Sequence, residues 1–164
     1  MWIGLRSILL AMFILLQGNA QAAEVPLPSF TVADLQGNIV SSDLLGKADP
    51  WVLVVVAPKN KPSQTLLDGL QTSKVTWTDR VIIVVTGDQA KLEAMKKQNS
   101  KLENVHWYRD VDNNIMRNLG LSGWPAVLGV VPGHSIAWRS MGAPATTLAT
   151  QSMVANWIGL VLKP

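Results

Sequence analysis

Three unbroken apolar runs punctuate the chain, at residues 51–57, Val81–Val85 and Ala126–Val131. Each is short and rich in β-branched side chains, and each is closed by Pro or by Thr-Gly-Asp, the pattern of a strand covered on both faces. Helical spacing separates them. Leu66, Leu67 and Leu70 share one face; Leu92 and Met95 lie a turn apart behind Asp88, a good N-cap; Ile115, Met116 and Leu119 form a short helix stopped by Gly120. Residues 105–108 read as a further strand, with 110–114 as its exit loop. Pro132-Gly133-His134 is a turn short enough to fold residues 126–131 and 135–139 into an antiparallel hairpin. Val154, Trp157, Ile158 and Val161 then recur at i, i+3, i+4 and i+7, the stripe of a last helix. At the front, Val25-Pro26-Leu27-Pro28 is stiff and extended. Phe30-Thr31-Val32 and Ile39-Val40 are short strands around residues 35–38, and residues 44–47 form a helical turn closed by Gly46. The order is a hairpin followed by β-α-β-α-β-α-β-β-α. Strands alternating with helices demand a largely parallel sheet, and the late hairpin adds antiparallel strands on one side.

Ahead of this pattern, residues 1–22 have the form of an export signal: Arg6 in a short basic start, an apolar stretch over residues 8–16, and Ala20-Gln21-Ala22 as a cleavage site. The stretch is shorter than the roughly 20 residues that span a bilayer. The expected product is a periplasmic or secreted domain, residues 23–164, touching the membrane only through an uncleaved leader. The net charge of +3 is small, and the lysines at 47, 59, 61, 74, 91, 96, 97, 101 and 163 are dispersed. A nucleic-acid surface needs a concentrated basic patch, so no nucleic-acid partner is expected. Cysteine is absent. An exported domain without disulfides depends on its core alone.

Four segments carry a resemblance. Residues 27–32 with Gln36-Gly37-Asn38 are similar to the opening of exported thiol–disulfide oxidoreductases of the TlpA/ResA and peroxiredoxin (redoxin) type, and residues 53–64 to the strand and turn that lead into their Cys-x-x-Cys. Residues 109–113 are similar to the Asp-x-Asp-Gly turn, and residues 121–126 to the segment that ends in a cis proline. The chain therefore resembles the thioredoxin-like superfamily from about residue 25 to 163. The resemblance implies an α/β/α three-layer sandwich with a mixed central sheet and an N-terminal hairpin extension. It also implies that Trp124-Pro125 is cis and adjoins the active-site turn.

At the positions where that family carries its cysteines, this sequence has Asn60 and Ser63. Neither forms a thiolate, so the disulfide and peroxide chemistry that begins with one is removed. A serine nucleophile needs an adjacent base, and no histidine stands near Ser63 in sequence. Two readings of the turn remain. Asn60 is a strong N-cap whose natural donor is the Ser63 amide, since Pro62 has no N–H. Equally, a helix start flanked by Lys59 and Lys61 suits a carboxylate. Trp124 either covers the hollow left by the thiols or stacks on a ligand. The expected contact face is thus Lys59, Asn60, Lys61, Pro62, Ser63, Gly123, Trp124 and Pro125, used by a redox-inactive module to hold a protein of the cell envelope or a ligand. The alternatives are a redoxin-type role through a partner's cysteines and a structural place in an envelope assembly. No cofactor and no metal are expected: His106 and His134 are the only histidines and stand in no ligand spacing. Asp110 and Asp112 lack the rest of a calcium loop.

Overall fold

The computed structural model describes residues 25–46, 49–142 and 146–160. The expected leader, Lys47 and Val161 lie outside them. Eight strands form one sheet: β1 (Val25–Pro26), β2 (Thr31–Ala33), β3 (Ile39–Ser41), β4 (Trp51–Val56), β5 (Val81–Val85), β6 (His106–Asp110), β7 (Ala126–Val131) and β8 (Ser135–Met141). Their order is β1-β8-β7-β4-β5-β6-β2-β3. β4, β5 and β6 are parallel, whereas β7 runs antiparallel to β4 and turns back into β8. Every residue of β4 and β5 is buried, as their uninterrupted apolar composition requires.

Side-chain alternation divides the core into two layers. Val52, Val54, Val56, Ile83 and Val85 face α1 (Lys61–Gln71), α2 (Gln89–Gln98) and α4 (Thr147–Trp157). Leu53, Val55, Ile82, Val84 and Leu128 face the other way. There they meet the single turn of α3 (Ile115–Asn118) and the N-terminal segment with Leu27, Phe30 and Leu45. The result is an α/β/α sandwich with one thick and one thin helical layer. Leu66, Leu67 and Leu70 of α1 are almost fully buried, each contributing about 2 kcal/mol by removal from water. The Trp157 indole N–H donates to the Trp51 carbonyl at 3.0 Å, tying α4 to the start of β4.

The N-terminal hairpin is part of the sheet: β2 pairs with β6 through Val32–Asp110 and Ala33–Arg109. This pairing, with that of Val85 and Arg109, carries β6 through Asp110, a residue expected in the exit loop. Asp110 ends the strand by accepting the Ile115 N–H at 3.0 Å, so it starts α3. The late hairpin also outruns expectation, with β8 reaching Met141 against Ala126. The last helix buries Val154, Ala155 and Ile158.

His134 occupies the β7–β8 turn with φ of 61°. Its Nε2 lies 3.0 Å from the Leu45 carbonyl, and its ring stands edge-on to Trp51. Its work is to pin the turn to the thin layer.

Candidate functional site

β4 delivers the chain to one end of the sheet at Val56. Lys59 then takes a left-handed φ of 61°, the Asn60 N–H donates to the Ala57 carbonyl at 3.3 Å, and α1 begins at Lys61. Asn60 is the N-cap. Its Oδ1 accepts the Ser63 backbone N–H at 2.9 Å and the Ser63 hydroxyl at 2.9 Å. The Ser63 oxygen in turn accepts the Ala57 N–H at 3.2 Å. One carboxamide oxygen and one hydroxyl therefore brace the strand end, the turn and the first helical turn together.

That brace settles what the two residues can do. Ser63 is fully buried, and its oxygen is engaged both as donor and as acceptor, so it offers nothing to a partner. It supports Asn60 from behind. Two of the donors that a helix start would aim at an anion are engaged or missing: the Ser63 N–H bonds to Asn60, and Pro62 has none. A carboxylate accepting the Ser63 N–H would have to displace the protein's own oxygen.

The Trp124–Pro125 peptide is cis. Pro125 is buried, and its carbonyl accepts the Gly142 N–H at 2.8 Å. Trp124 remains 40% exposed. Of the eight expected contact residues, Lys59, Lys61 and Trp124 are exposed; Asn60, Pro62 and Gly123 are half-buried; Ser63 and Pro125 are buried.

Lys59 and Trp124 border the same hollow, of about 600 Å³. It is also lined by Ala57, Pro58 and Met116 and, as a second group from the segments that follow β5 and β6, by Thr86, Gly87, Lys91, Asn113 and Arg117. Lys61 and Gly123 do not line it. Sequence reasoning missed the second group. Gly87 and Asn113 read there as turn residues and Lys91 as one of the dispersed lysines, while Arg117 is not singled out. Only the topology brings the β5–α2 turn and α3 to the end of β4.

Charge around the hollow is one-sided. Lys91 lies 3.4 Å from Asp88, whose carboxyl caps α2. The Lys91 backbone N–H, followed by its side chain, holds that carboxyl below the ordinary aspartate value. Among the described residues, Lys59 and Arg117 make no ion pair.

A helix entered from a central strand, with Trp124-Pro125 at the same end of a mixed sheet, gives this chain a thioredoxin-like fold, here without any cysteine. Solved structures agree on the fold. The chain is similar to a thioredoxin-like protein from Porphyromonas gingivalis, with 21% identity and a TM-score of 0.62 over 81% of this chain and 92% of that one. It is also similar to a secreted Mycobacterium tuberculosis disulfide oxidoreductase homologous to E. coli DsbE, with 16% identity and a TM-score of 0.60 over 80% and 96% of the two chains. A third, the thiol peroxidase from Chromobacterium violaceum, gives 13% identity and 0.59 over 80% and 84%. No protein-family model and no curated protein matches the sequence.

Proposed function

We propose that this protein is a binding module, exported to the cell envelope or beyond, which holds a partner at the face where thiol-dependent relatives exchange disulfides. The observation that carries the reading is the junction of Lys59 and Trp124 on one open hollow, beside a turn in which Asn60 and Ser63 hydrogen-bond to each other. The turn keeps its shape without sulfur and leaves an indole accessible. A partly exposed tryptophan beside an apolar lining is a favourable anchor for association.

Export is argued from residues 1–22 and from the secreted neighbour. No described helix is long and apolar enough to cross a membrane. Fractionation followed by N-terminal sequencing should recover a chain that begins at Ala23 outside the cytoplasm. A full-length cytoplasmic product would refute this part.

The binding role is tested by placing a photo-crosslinking side chain at Trp124, and in parallel at the remote Lys101, in cells expressing the full chain. A discrete adduct from position 124 and none from 101 is expected, and it should fade when Lys59 is also changed to Glu. Equal labelling from both positions would place the interaction elsewhere. Purified parent protein should not reduce insulin disulfides, whereas the Asn60→Cys/Ser63→Cys double variant should acquire the activity. Reduction by the parent would overturn the reading.

A further inference from the structure

Resting on the proposed use of this face, we infer that the hollow beside Trp124 selects an acidic peptide segment bearing an apolar or aromatic side chain. The chemistry of the walls carries this. Trp124, Met116 and Pro58 offer an apolar surface that fits a side chain, while Lys59, Lys91 and Arg117 supply cations from three separate elements. Asp88 offsets Lys91 in part; Lys59 and Arg117 have no acid paired with them among the described residues. No acidic side chain lines the hollow. A ligand entering it exchanges the hydration of two free cations for carboxylates, and a basic ligand meets uncompensated repulsion.

The shape favours a peptide over a small free acid. The hollow holds about 600 Å³, within the range of ligand pockets and far more than one carboxylate fills. The three cations share the lining with an apolar surface, so a chain carrying acids on either side of one apolar residue complements both features. The Ser63 donors at the tip of α1 are already taken by Asn60, so the side-chain cations carry the anion recognition.

The test uses the purified chain and three nonapeptides with a central Phe, flanked by Glu, by Ser or by Lys. Backbone amide shifts are followed by NMR at low and at physiological ionic strength. The acidic peptide should move the amides of Lys59, Gly87, Arg117 and Trp124. Its affinity should fall about tenfold across the salt change, as screening of close charge pairs requires. Lys59→Glu/Arg117→Glu should abolish its binding, and a remote Lys74→Glu/Lys101→Glu control should bind as the parent does. Replacing the central Phe by Ala should weaken the acidic peptide by a further tenfold or so, the loss of one apolar anchor. Equal binding of the three peptides would overturn the acidic preference while leaving the binding face intact. Shifts confined to other surfaces would overturn the inference, and the crosslink at position 124 would then decide the broader reading by itself.

Discussion

At the scale of single residues, the informative pair is Asn60 and Ser63. Asn60→Ala removes the acceptor of two donors, the backbone N–H and the hydroxyl of the fully buried Ser63. Loss of a good N-cap costs about 1 kcal/mol, and stranding a buried hydroxyl adds about 1 kcal/mol or more. The expected destabilisation in urea is therefore about 2 kcal/mol, and a change within a few tenths would show that the brace is dispensable. Asn60→Asp keeps the acceptor and should retain most of the stability. The capping role of Asn60 was legible in the sequence, because Asn before Lys-Pro-Ser leaves one sensible donor. The burial of Ser63 was not, because nothing local says that the Ala57 N–H turns back to meet its oxygen.

At the scale of elements, two contacts fix pieces that local pattern left ambiguous. Gly129 of β7 lies beneath the indole of Trp138 in β8, and Trp138 meets Trp157 edge-on at 5.8 Å. A Cβ at position 129 would overlap that indole, so Gly129→Ala should cost about 1–3 kcal/mol and weaken the near-ultraviolet circular dichroism of the tryptophans. An unchanged spectrum and melting midpoint would contradict the packing. The facing of Trp138 was unreadable beforehand because both faces of β7 are apolar.

The β2–β3 turn is organised by Asp34. Its carboxylate accepts from the Asn38 side chain and from the Gln36 and Asn38 amides, each at 2.8 Å. The Asn38 side chain is the largest of the causes that hold its pKa below the ordinary aspartate value of 3.8. A pKa lowered by folding contributes stability above the unfolded value and loses it as pH falls through the folded one. The Asn38 amide should therefore titrate with a midpoint below 3.8. A midpoint at or above that value would remove Asp34 from this role.

At the scale of the whole molecule, the order of strands and helices was readable because each central strand is a continuous apolar run and each helix a periodic one. The N-terminal hairpin was visible, but its seat against β6 was not, since backbone pairing of Val32 and Ala33 with Asp110 and Arg109 leaves no compositional trace. The same limit applies to the site. Lys59 and Trp124 follow from the resemblance of their segments. Lys91 lies about thirty residues from either of them and Arg117 far from Lys59, and the four meet only when parallel strands deliver successive turns to one end of the sheet.

The Asn60 oxygen that holds Ser63 also bears on how easily this chain could be given a thiol pair. A lone change of Asn60 to cysteine would give both Ser63 protons a poorer acceptor, and a lone change of Ser63 to cysteine would do the same for the Ala57 amide. Either first step weakens the fold before any electron can be moved. A stepwise route to a thiol pair therefore runs through a disfavoured intermediate, which favours keeping the oxygen brace once it is in place.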